Sequence, residues 1–268
     1  MDSIVITGFA AAILIGISLG LIGGGGSILT VPVLVYILGV NPVLATAYSL
    51  FVVGSTSLVG AVTYMKKGLM NYKTAIVFAI PSFIAVFLTR KFLVPALPDP
   101  LFSIGEFLIT KSSGIMVFFA FIMLFAAYSM IREKKGEDQE DQEKVKFNFP
   151  MIALEGSVVG LITGIVGAGG GFLIIPALVL LAKLPMKMAV GTSLLIIAAK
   201  SLIGFLGDLS TQTIDWPLLI MFTVLSIVGI FIGSALSKKI NERVLKTGFG
   251  WFVLIMGIFI ITKELLAV

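Results

Sequence analysis

The sequence predicts an all-α polytopic membrane protein made of two inverted five-segment repeats, each a glycine-broken helical hairpin followed by three transmembrane helices. Three observations carry that prediction. The first is composition: 58% of the 268 residues are hydrophobic and 12% charged, about half the charge of a soluble domain. The mean hydropathy is +1.13, and apolar runs recur that are long enough for a bilayer, which takes about 20 residues each. They are continuous rather than alternating, so helices are expected and not a β-barrel. The second is an internal duplication. The third is the distribution of Lys and Arg.

The duplication appears when the sequence is laid over itself at an offset of 144 residues. "GISLGLIGGGGSILTVPVLV" (Gly16 to Val35) falls on "GLITGIVGAGGGFLIIPALV" (Gly160 to Val179). Gly20, Gly23, Gly25, Gly26 and Pro32 meet Gly164, Gly167, Gly169, Gly170 and Pro176 without a gap. The same offset puts "AYSL" at Ala47 on "GTSL" at Gly191, Ser57 on Ser201, and "NYK" at Asn71 on "DWP" at Asp215. Chance similarity of apolar sequence would not hold glycine, proline and serine in one register. The expected units are residues 1–131, a charged linker 132–149, and residues 150–268.

The first copy reads as segments near 4–22, 27–39, 43–65, 73–93 and 113–131. The second reads near 151–167, 171–183, 188–207, 216–237 and 248–265. The opening segment has only Asp2 before it and no basic flank, so a cleavable leader is not expected. The second segment of each copy is too short to cross about 30 Å of hydrocarbon. It should pair with the first as a hairpin that returns to its own side, with the glycines at the tip. A copy then crosses an odd number of times, and the second copy must be inverted. Basic residues cluster accordingly on one predicted face: Lys66, Lys67 and Lys73, the linker 132–149, Lys183 and Lys187, and Lys238 to Lys246. That face is cytoplasmic by the positive-inside rule. Arg90, Lys91, Lys111 and Lys263 are assigned to outer loops, and both termini to the outside of the cell or inner membrane. The linker "REKKGEDQEDQEKVKFNF" is expected to be solvated.

Glycine disfavours helix, and a freed backbone in oil is tolerated only where it is buried in protein or lines a cavity. Broken helices in inverted repeats mark the substrate sites of secondary transporters. A helix start offers unpaired N–H groups and partial positive charge, and glycine lets a small anion approach them. The candidate substrate-binding residues are therefore Gly23, Gly24, Gly25, Gly26 and Ser27 in the first copy, and Gly167, Gly169, Gly170 and Gly171 in the second. Gly16, Gly20, Gly160 and Gly164 have GxxxG spacing and are expected to pack helices.

The third segments add Tyr48, Ser49, Ser55, Thr56 and Ser57, and Thr192, Ser193, Lys200 and Ser201. Of these, Ser49, Thr192, Ser193 and Lys200 join the candidate site. Lys200 stands far inside an apolar helix, where a lysine needs a partner or water. It is either an anion partner or a structural cation, reaching the interface or pairing with Asp208. Cysteine and histidine are absent, which removes disulfides, thiolate sites and the usual proton shuttle. No nucleophile–base pair, metal cluster or nucleotide loop is visible, so neither an enzyme, a cofactor nor nucleic-acid binding is expected. Glu155 and Asp208 lie near helix ends and offer no evident proton relay.

The paired "GLIGGGGSILTVPVL" and "GIVGAGGGFLIIPAL" resemble the sulfite exporter TauE/SafE family. Its "P-x-x-x-A-x-G-T-S" pattern is present as Pro185, Ala189, Gly191, Thr192 and Ser193, whereas the first copy reads Ala47-Tyr48-Ser49. The resemblance implies transport of sulfur-containing anions such as sulfite or organosulfonates. The expected partners are a small anion and the lipid bilayer, with a homo-oligomer open. An anion-selective channel and a membrane scaffold without transported substrate are the alternatives.

Overall fold

The computed structural model describes residues 3–104, 107–132, 149–167, 169–171, 174–175, 178, 184–236 and 242–266. Among these residues eight long helices carry the fold: α1 (Ser3–Ile22), α2 (Pro42–Lys66), α3 (Tyr72–Leu88), α4 (Lys111–Ile131), α5 (Phe149–Val166), α6 (Met186–Asp208), α7 (Trp216–Leu236) and α8 (Glu242–Leu266). Among the described residues, five stretches are long and apolar enough to cross a membrane: Pro42–Lys66, Tyr72–Ala96, Lys111–Tyr128, Met188–Asp208 and Trp216–Leu236. The outward surface agrees. Ile76, Ile80, Ile84, Leu88 and Phe92 form an exposed stripe along α3 and its extension, and Phe121 and Phe125 another on α4, which only lipid or protein could cover. Polar side chains instead lie inside, Arg90, Lys200 and Asp208 among them.

Local chemistry sets the boundaries. Asn41 caps α2 by accepting from Val43 N (2.9 Å), with Pro42 at the first helical position. Asn71 caps α3 at Thr74 N (3.0 Å), and Asp215 caps α7 at Leu218 N (3.2 Å). Side-chain oxygens there satisfy N–H groups that lack an intrahelical partner. Gly23 and Gly167 end α1 and α5 in the left-handed region, at φ 74° and 72°, a conformation that costs any L side chain.

Three details depart from expectation. The first short segment is a tight 3-10 turn at Gly24–Leu29, one α turn at Thr30–Pro32, and a π turn at Val33–Ile37. Its helical winding thus starts at Gly24 and not at Ser27, because only Gly23 is needed to break the chain. A two-stranded antiparallel ribbon, β1 (Phe102–Ile104) with β2 (Phe107–Ile109), precedes α4, so the chain is not purely helical. Beyond Leu88, α3 continues through a π turn (Thr89–Leu93) and a short helix (Val94–Ala96), which puts Arg90 in a helix and not in a loop. Most of the expected segment 171–183 and of the linker 132–149 lies outside the described residues.

Helix packing follows the small residues. A Cβ on Gly16 would collide with Ser226 and Gly229, and one on Gly20 with Ile230, Ser234 and Gly233, so α1 runs parallel to α7. Gly156, Gly160 and Gly164 bring α5 parallel to α3, against Phe78, Ser82 and Thr89. The four GxxxG glycines therefore pack helices, as expected. At the centre α2 and α6 cross antiparallel: Leu50 meets Gly204, Gly54 meets Leu202, and Gly60 meets Leu194. Helix α4 packs on α8 through Met116, Phe119, Ala120, Met123, Val253 and Ile260. The first short segment docks beside α8, where Tyr36 donates to Glu264 (2.9 Å) and lies edge-on to Phe259.

Candidate functional site

The two glycine turns meet inside the protein. A Cβ on Gly24 would overlap Gly171 Cα, and one on Gly171 would overlap Gly24 Cα, so the two backbones touch with no side chain between them. Each turn also reaches across to the start of the other copy's third segment. Gly23 lies against Val190 on α6, and Gly167 lies against Thr46 on α2. Val53 and Ile197 close over Gly169. All these positions are buried.

Lys200 is fully buried beside the second turn, where a Cβ on Gly170 would run into Lys200 Nζ and Thr163 Oγ1. Its ammonium donates to Thr163 Oγ1 at 2.9 Å. It has no carboxylate partner among the described residues, since the one ion pair there joins Arg90 Nε to Asp208 Oδ2 at 2.7 Å. Asp208 is thus taken by Arg90, and the expected alternative of a Lys200–Asp208 pair is not realised. A buried ammonium whose one acceptor among the described residues is neutral is an electropositive point in a medium that screens poorly.

The predicted hydroxyls divide into two groups. Ser27 Oγ donates to Gly24 O (2.7 Å), and Ser193 Oγ donates to Val190 O (2.8 Å), each within its own helix. Thr192 Oγ1 accepts from Asn71 N (2.9 Å), and Tyr48 Oη accepts from Asp215 N (2.6 Å). These two are structural ties from the third segment of one copy to the start of the fourth segment of the other, α2 to α7 and α6 to α3. Ser49, Thr56, Ser57 and Ser201 are buried, and their hydroxyls have no hydrogen-bond partner. A buried hydroxyl left without a partner costs about 1–3 kcal/mol, and the hydroxyls of Thr30, Thr74 and Ser82 share that state.

The reading of charge as a loop marker missed Arg90, which is wholly buried at the π turn. Besides Asp208 it donates from Nη1 to Thr46 Oγ1 (2.8 Å) and to Gly164 O (3.2 Å). The helical phase carries the missing signal. Ala75, Phe78, Ala79, Ser82 and Val86 form the buried stripe of α3, and Arg90 comes one turn after Val86, while Lys91 next to it lies over Phe87 and Phe92. No group of three or more His, Cys, Asp or Glu capable of holding a metal occurs among the described residues.

A family model described as sulfite exporter TauE/SafE matches residues 8–260. The chain belongs to the sulfite exporter TauE/SafE family. It is 29% identical over 255 residues to a probable membrane transporter protein of Xylella fastidiosa, covering 94% of this chain and 92% of that protein. A probable membrane transporter protein of Methanocaldococcus jannaschii is 31% identical, with 96% and 94% covered. One from Bacillus subtilis is 28% identical, with 88% and 89% covered. No solved structure matches. As a TauE/SafE member with five helices among the described residues long and apolar enough to cross a membrane, the chain is a multi-pass membrane protein of a transporter family.

Proposed function

We propose that the protein is a secondary transporter of small sulfur-containing anions, of the sulfite or organosulfonate class, in the cell membrane. Its two copies, 1–131 and 150–268, act as inverted repeats about an axis through the crossing of α2 and α6. The anion binds where the glycine turns meet, near Gly23–Gly26, Gly167 and Gly169–Gly171, with Lys200 as its charge partner and Ser49 as a neutral donor. Thr192 and Ser193 support the start of α6 rather than touch the anion in this state.

The observation that carries this reading is the buried, carboxylate-free Lys200 at the glycine turn. The inverted arrangement is supported by contacts that recur under the 144-residue offset. Gly16 on Ser226 has its counterpart in Gly160 on Ser82, and Gly23 on Val190 in Gly167 on Thr46. The hydroxyl of Tyr48 on Asp215 N corresponds to that of Thr192 on Asn71 N. Equivalent helices α2 and α6 run antiparallel, as repeats inverted in the membrane would.

Uptake of radiolabelled sulfite and a sulfonate into proteoliposomes tests the proposal. Saturable uptake is expected, lost in Gly25→Val and Gly169→Val, because a branched side chain would fill the turn. Linear, voltage-driven current without saturation would make the protein a channel. No flux of any anion would reduce the glycines to packing and the protein to a scaffold.

A further inference from the structure

We infer that Arg90 is a second anion-contacting residue on the route to the glycine turns, and that Asp208 is a built-in counter-ion which the travelling anion displaces. The inference rests on the transport reading and extends it to a side chain outside the glycine turns.

The guanidinium is only partly used. Of its five N–H donors, Nε meets Asp208 and Nη1 meets Thr46 and Gly164. Nη2 is buried and has no partner. A buried pair kept for stability offsets its desolvation by satisfying both ions fully, most effectively through a two-pronged Arg–carboxylate fork. Here Asp208 engages Arg90 through one contact and leaves one guanidinium nitrogen free, the geometry of a site shared with another oxyanion.

Position connects Arg90 to the turns. Thr46, which accepts from Arg90, is the residue against which Gly167 packs. Ser49, with its unpartnered hydroxyl, lies one helical turn further along α2, and Val53, another turn on, touches Gly169. Arg90, Ser49 and the glycine turn thus follow one face of α2 toward Lys200.

The second argument is asymmetry. Under the offset that matches the packing contacts, Arg90 corresponds to Ser234, Asp208 to Tyr64, Thr46 to Val190 and Lys200 to Thr56. The other copy packs the same helices without this pair, so helix packing of this kind does not require it. None of the three buried charges described, Arg90, Asp208 and Lys200, has a charged counterpart in the other copy, so the field an arriving anion meets is not shared equally between the halves.

The test uses the full chain in proteoliposomes, with sulfite uptake and thermal unfolding measured on each variant. Asp208→Asn removes the competing charge and is expected to lower KM for sulfite several-fold. Arg90→Lys keeps the charge but loses the fork, and should raise KM about tenfold with the maximal rate little changed. Arg90→Asp combined with Asp208→Arg restores an ion pair, and should fold yet lose saturable uptake. If the exchanged pair transports like the wild type, or if Asp208→Asn leaves KM unchanged, the pair is structural and the inference fails while the transport reading stands. Wild-type vesicles that take up no anion would overturn both.

Discussion

Gly167 is the residue at which backbone conformation and packing act together. Its φ is 72°, and an added Cβ would strike the backbone and side chain of Thr46. Gly39 has a similar φ of 67°, but nothing lies within 4 Å of where its Cβ would be. Gly39→Ala should therefore cost about 1–2 kcal/mol, the intrinsic penalty of the left-handed conformation. Gly167→Ala should cost clearly more, read as the larger fall in melting temperature in detergent. Equal falls would mean that the turn does not press on α2. Arg90→Leu strands the carboxylate of Asp208 and should destabilise by about 3–5 kcal/mol, with Asp208→Leu added on top restoring most of the loss. At this scale the sequence was legible where glycine was concerned, since only glycine tolerates both demands at the turn. It was not legible for Arg90, whose charge argues for water while its phase on α3 argues for burial. Phase prevails because Asp208, Thr46 and Gly164 replace the hydration of Nε and Nη1.

Among the elements, most of the long helices were foreseen to within a few residues because unbroken apolar runs mark them, whereas α8 begins at Glu242, six residues before the expected 248, because its charged first turn was read as loop. The 3-10, α and π windings between Gly24 and Ile37 were not. Pitch there is set by contact with Gly171, Ser18 and α8, and such contacts between distant residues have no local signature. The ribbon before α4 escaped for a similar reason: two strands of three residues carry too short an alternation to stand out from a loop. The ties from the third segment of one copy to the fourth segment of the other make a paired prediction. Tyr48→Phe and Thr192→Val each leave the N–H of the other copy's cap residue without its acceptor, at Asp215 before α7 and at Asn71 before α3. Each should lower stability by about 1–3 kcal/mol, and the two losses should add, because the sites lie at different helix junctions. Chemical denaturation in micelles would measure both. A negligible loss at one site would break the equivalence of the two ties.

At the scale of the whole molecule, the proposed inversion makes a prediction about sidedness. Lys67 and Thr211 are equivalent under the 144-residue offset, and both are exposed. The chain has no cysteine of its own, so Lys67→Cys and Thr211→Cys report without background. An impermeant maleimide applied to intact cells should label position 211 and spare 67, with the reverse in inside-out vesicles. Labelling of both from one side would exclude inverted repeats. The place where the two halves touch has a mechanical consequence. Gly24 and Gly171 meet as bare main chain, with no rotamers to interlock. A side chain grafted at either position would act as a wedge, forcing the two main chains apart at the centre of the molecule.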